Sequence, residues 1–123
     1  MLLKDFYTLI EFDKIDNENI KAVIKLNKNH PVYKGHFPGN PVVPGVCLTQ
    51  LIKEVMETAE KKELMLVSAD YIKFMAIVNP EINEILQIDL KLKVKEDNTT
   101  QVTSETHFGE TVFYKFKGNF KAK

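Results

Sequence analysis

Residues 35–62 read GHFPGNPVVPGVCLTQLIKEVMETAEKK, and the passage from a stretch full of breakers into a long amphipathic one decides the fold. Between His30 and Gly45 stand Pro31, Pro38, Pro41 and Pro44 together with glycines at 35, 39 and 45, too many breakers for a helix interior or a central strand. That stretch is either an ordered loop or a disordered linker. After Pro44 and Gly45, the residues Leu48, Leu51, Ile52, Val55, Met56 and Ala59 recur at spacings of three and four. The spacing predicts a helix with one broad apolar stripe, running to about Lys61 or Lys62. Glu54 and Glu57, followed by Glu60, Lys61 and Lys62, read as its solvated side.

Upstream, Phe6–Asp13 mixes aromatic and β-branched residues before the turn-forming DNEN at 16–19, and Ile20–Leu26 alternates apolar residues with Lys21 and Lys25. Both predict strands. Downstream come Leu64–Phe74 and then Ile85–Val94, where Leu86, Ile88, Leu90, Leu92 and Val94 alternate with polar residues. Glu96–Asn98 and Gly109–Glu110 punctuate the next two runs, Gln101–Phe108 and Thr111–Phe120, so the last three strands form an antiparallel meander. One long helix inserted after the second of about five or six strands is an α+β layout. The helix must lay its stripe on the apolar face of the sheet, which wraps around it.

A chain of 123 residues fits a single domain, 1–123, with one core. Its 17 basic residues, all lysine, balance 17 acidic ones, so no net field draws it to nucleic acid or an anionic membrane. Cys47 is the only cysteine, which excludes an intrachain disulfide and CxxC metal spacing. His30, His36 and His107 are scattered, and no metal site is read from them. No uncharged run approaches the roughly 18 residues of a membrane span, and no leader pattern opens the chain. A cytoplasmic protein is expected.

The segment Tyr33–Gln50, YKGHFPGNPVVPGVCLTQ, resembles the signature of the bacterial 3-hydroxyacyl-acyl-carrier-protein dehydratases: His36, Phe37, Pro38, Gly39, Pro41, Pro44, Gly45 and Val46 stand at that family's spacing. The resemblance implies a hot-dog fold, one central helix wrapped by an antiparallel sheet, and an obligate homodimer open to further assembly. In that family the loop histidine and a helix acid come from different subunits across the end of an acyl tunnel. It also implies a lyase removing water from a 3-hydroxyacyl thioester, carried on acyl-carrier protein or coenzyme A, in fatty-acid or related synthesis. Phe37 and Phe74 would then lie along the acyl-binding side, although an apolar run such as Phe74–Val78 is ordinarily core.

Such a reaction needs a base for the Cα proton, and His36, with an unperturbed pKa of about 6.5, suits it. The thioester oxygen gains charge as that proton leaves. The first backbone N–H groups of the helix, at Gly45 and Val46, are placed to meet it, and glycine lets substrate approach closely. Neither metal nor organic cofactor is called for.

Fourteen residues after His36, where the family carries Glu or Asp, stands Gln50, an amide that can donate or accept but cannot deliver a proton. Three outcomes stay open: acid chemistry moved to Glu54 one turn on, dehydration by His36 with water, or hydrolysis of the thioester. A hot-dog thioesterase and a non-catalytic acyl-binding or partner subunit are therefore the rival readings. Met75 and Ala76 replace the family's basic residues after the phenylalanine, leaving Lys34 and Lys73 to compensate in carrier docking. Cys47 reads as a small core residue, with a nucleophile near the helix N-terminus as the rival; His30 and His107 read as structural.

Overall fold

The computed structural model describes residues 4–34, 39 and 41–123. Six strands form one sheet: β1 (Tyr7–Lys14), β2 (Asn19–Leu26), β3 (Leu64–Phe74), β4 (Ile85–Val94), β5 (Thr100–Phe108) and β6 (Thr111–Ala122). The spatial order is β1-β2-β4-β5-β6-β3, and every neighbouring pair is antiparallel. The helix α1 (Gly45–Glu60) follows β2, so the chain crosses from one side of the sheet to its far edge at β3 and returns to the centre at β4. This is the helix-wrapped α+β arrangement expected from the sequence.

Alternation does most of the work in the sheet. Ile20, Ala22, Ile24 and Leu26 of β2 and Leu86, Ile88, Leu90 and Leu92 of β4 are buried, and Lys21, Lys25, Lys91 and Lys93 between them are exposed. Against that face lie Leu48, Leu51, Ile52, Val55 and Met56 of α1, all nearly inaccessible. Each such side chain contributes about 1.5–3 kcal/mol through burial. The helix stops where Lys61 takes a left-handed conformation, φ 56°, with its N–H bonded to Glu57 O.

Turns follow the sequence. Asp16 accepts from the Glu18 and Asn19 amides at 2.7 and 2.8 Å, Asp97 accepts from Thr99, and Gly109 supplies φ 57° between β5 and β6. Ahead of the helix, Pro31–Tyr33 form a single 3₁₀ turn, which the breaker count in the sequence did not separate out. His30 caps it, its Nδ1 accepting from Val32 N at 3.1 Å.

Strand β1 holds a bulge at Ile10 that the sequence reading did not foresee. Tyr7 and Leu9 pair with Leu26 and Ile24, whereas Phe12 pairs with Ala22. The extra residue resets the alternation, so Tyr7 and Phe12, five apart, both face the helix side.

Gly118 in β6 lies where this layer is tightest: a Cβ there would meet Phe116 Cζ at 2.5 Å and the Ser68 carbonyl oxygen at 2.8 Å. Backbone cannot yield as a flexible side chain can. Gly118→Ala is expected to destabilise by at least about 1–3 kcal/mol in chemical denaturation, and an unchanged midpoint would show that β3 can give way at Ser68.

Candidate active site

The first helical hydrogen bonds run from Cys47 N and Leu48 N to Pro44 O, at 2.9 and 3.4 Å, so the Gly45 and Val46 N–H groups precede the ladder. Val46 is 78 % exposed. The Phe74 ring stands directly over Gly45, where a Cβ would lie 2.6 Å from Cζ, and it packs on Tyr114 with centroids 5.3 Å apart. Tyr114 hydrogen-bonds Thr49 and so pins the first turns of the helix to β6. An apolar cleft of about 450 Å³ opens here, lined by Gly45, Leu48, Phe74, Met75, Ile77 and Val78, among others. Its far wall is held by a bond from Val43 N to Val78 O at 2.9 Å. The structure therefore brings Gly45 and Phe74 together at the mouth of an apolar cleft, with Phe74 itself 62 % exposed rather than core.

Gln50 lies elsewhere on the helix. Five residues beyond Gly45 it is turned by about 140° around the axis, below Val46 on the half-open flank. Its Nε2 donates to Glu54 Oε2 at 2.9 Å, and the Tyr7 hydroxyl donates to Glu54 Oε1 at 2.9 Å. Glu54 is fully buried, which corrects its reading as part of the wet side of the helix. The physical reason lies in the wheel. Glu54 follows Cys47 by two turns and Leu51 by three residues, so it stands on the border of the apolar stripe, and Tyr7 supplies the polar contact that burial requires. Burial, helped by the neighbouring carboxylate, pushes the Tyr7 phenol well above its ordinary range, so it keeps its proton and remains a donor.

Sequence reasoning missed Tyr7. It is 47 residues away in the chain and in a strand whose bulge hides its facing. The one usable signal was Cys47: counted into the stripe, it puts Glu54, seven residues on, at the border, with Glu57 further round. Glu57 is itself half-buried and accepts from Leu64 N at 2.9 Å, tying the end of α1 to the start of β3.

Cys47 is buried, and desolvation, with Glu54 adding to it, raises its thiol above the usual range; a core residue follows, not a nucleophile. His30 has both ring nitrogens engaged, with Val32 N and with Lys4 O, and His107 is bonded to Asp89 at 2.7 Å on the outer face of the sheet; both are structural. Lys73 lies over the Tyr71 ring, 5.1 Å from its centroid, and Lys34 is exposed. His36 and Phe37 lie outside the described residues. Tyr33, Lys34, Gly39 and Pro41, on either side of them in the chain, border a further open cavity of about 500 Å³.

The model of the ApeI-like family, described as ApeI dehydratase, matches residues 13–114. A 3-hydroxyacyl-[acyl-carrier-protein] dehydratase FabZ of Lactobacillus helveticus is 27 % identical over 122 residues, covering 90 % of this chain and 81 % of the relative. The FabZ of Ehrlichia chaffeensis is 30 % identical over 101 residues, covering 78 % and 69 %. Among solved structures, the dehydratase heterocomplex ApeI:P from Xenorhabdus doucetiae has a chain that superposes with a TM-score of 0.73 at 15 % identity, over 93 % of this chain and 96 % of that one. A mutant thioesterase from Pseudomonas aeruginosa reaches 0.61 at 7 % identity, over 89 % and 78 %. At such identities these two establish the shared fold only, and the fold hosts both reactions.

Tyr7→Phe removes a donor to an enclosed carboxylate while keeping the ring. It is expected to cost about 1.5–3 kcal/mol in urea denaturation, in the range of hydrogen bonds to charged groups. A cost near zero would mean that the contact does not hold Glu54.

Proposed function

The chain belongs to the ApeI-like dehydratase family, and on that premise we propose that it removes water from a 3-hydroxyacyl thioester. The observation that carries this is the family match over residues 13–114 joined to a helix N-terminus with unladdered amides beside an apolar cleft. In the proposed mechanism His36 takes the Cα proton while the Gly45 and Val46 amides meet the charge growing on the thioester oxygen. Phe37 and Phe74 flank the acyl chain. Gln50 orients the β-hydroxyl. An amide cannot protonate a leaving group, and Glu54 is enclosed behind Gln50, so His36 returns the proton it has taken, directly or through a water, and hydroxide departs as water. No cofactor takes part in this sequence of steps.

The working unit is a homodimer of single hot-dog domains, residues 1–123, and its location is cytoplasmic. Strand β3 supports the pairing: it forms one edge of the sheet and exposes Met65, Leu66, Val67 and Ile72, an apolar edge that a monomer would leave open to association. Gly45 with Phe74 and Gln50 with Glu54 occupy different flanks of one helix, which favours a site completed by a loop from a second copy. The acyl group arrives on acyl-carrier protein or coenzyme A. Lys34 and Lys73, both exposed, would meet an acidic carrier in place of the family's basic residues.

Two outcomes are expected. With a 3-hydroxyacyl-coenzyme A substrate the protein should generate the absorbance of an enoyl thioester without releasing free thiol, and His36→Ala should lower the rate at least about 100-fold while leaving the circular-dichroism spectrum unchanged. Thiol release without enoyl product would establish a thioesterase instead, and binding without turnover an acyl-binding subunit. In light scattering the protein should show twice the 14.2 kDa of one chain. The double change Val67→Lys with Ile72→Lys should yield a folded, inactive monomer; an active monomer would remove the cross-subunit site.

A further inference from the structure

We propose that Tyr7 and Glu54 are positioning residues that fix the Gln50 amide with its oxygen outward, so that the site takes substrates donating a hydrogen bond at C3, a hydroxyl, over those offering only an acceptor there, a ketone. The inference rests on the dehydratase reading for its substrate class, and on geometry for the rest.

A primary amide has two unlike ends, and in isolation Gln50 could offer either. Its neighbour decides. The Glu54 carboxylate accepts only, so the group facing it at 2.9 Å is the Gln50 nitrogen. The second carboxylate oxygen is held by the Tyr7 hydroxyl at 2.9 Å, from a strand on the opposite side of the contact, so the carboxylate is not free to swing away from Gln50. Glu54 is wholly enclosed and its main-chain oxygen accepts from Thr58 Oγ1 at 3.0 Å, within the regular turn of α1. With the nitrogen committed inward, Oε1 is the end of Gln50 left to face the half-open flank below Val46.

An acceptor held at that place discriminates. A 3-hydroxyl can donate to Oε1, which orients the C3–O bond for departure. A 3-oxo group offers lone pairs to lone pairs and leaves the amide oxygen without a partner once water is excluded. The consequence concerns choice between oxidation states at C3, and it assigns that choice to a contact between Tyr7, Glu54 and Gln50 within this chain.

The test compares wild type with Glu54→Gln and Tyr7→Phe, measuring binding of 3-hydroxyoctanoyl- and 3-oxooctanoyl-coenzyme A by calorimetry, with His36→Ala present in every protein so that ligand is not turned over. Wild-type geometry should prefer the hydroxy ligand by at least about tenfold. Glu54→Gln replaces an acceptor by a group that both donates and accepts, so the Gln50 amide is released to either orientation and the preference should fall to about twofold or less. Tyr7→Phe should reduce it partially. A purely structural role would weaken both ligands alike, leaving the ratio intact, and that result in a folded Glu54→Gln protein would overturn the proposal. So would the absence of any preference in the parent protein. Because binding is read without turnover, a protein that proved not to dehydrate could still show the preference, and the two readings fail separately.

Discussion

Everything in this structure depends on the apolar stripe of α1 lying on the inner face of the sheet. Leu51, Ile52, Val55 and Met56 are sealed in one core with buried residues of β2, β4 and β6, and that packing fixes the rotation of the helix about its own axis. Rotation in turn decides which polar residues are carried inside. Glu54 borders the stripe, so seating the stripe drags a carboxylate into the core, and a buried carboxylate is tolerated only where donors meet it. Tyr7 and Gln50 are two such donors among the described residues. The orientation of the Gln50 amide is thus a downstream consequence of hydrophobic packing.

The same seating places the start of the helix. Thr49 bonded to Tyr114, and Phe74 packed between Tyr114 and Gly45, hold the N-terminal turn against the ends of β6 and β3. Amides without internal partners, an electropositive helix end and an apolar cleft then meet at one point. That combination suits a thioester: a polarisable carbonyl at the end of a greasy chain. Strand β3 contributes on its other side, because its exposed apolar edge is the surface proposed above to receive a second copy.

Most of the fold was legible in the sequence because it is written in periodicity. The three- and four-residue spacing from Leu48 to Ala59 and the strict alternation in β2 and β4 report which face is buried, and burial dominates the energetics. Aspartate and glycine turns marked the hairpins for the same local reason. Tyr7 and the true place of Glu54 were not legible. Their contact joins positions 47 residues apart, through a strand whose bulge at Ile10 breaks the alternation that would have shown its facing. A charged residue at the edge of an apolar stripe is ambiguous until its partner is known, and only tertiary structure supplies the partner. The motif around His36 was legible as a pattern, and Gln50 as a departure from it; what the departure means chemically required seeing which end of the amide is committed.

The most direct measurement is a crystal structure of the protein with an unreactive 3-hydroxyacyl amide analogue, which carries nitrogen in place of the thioester sulfur and keeps the carbonyl. The account expects the His36 ring of one copy within about 3–3.5 Å of the analogue's α-carbon, the carbonyl oxygen at the Gly45 and Val46 amides, and the 3-hydroxyl donating to Gln50 Oε1 of the other copy. A ring in open solvent, or an analogue bound away from the start of α1, would contradict it.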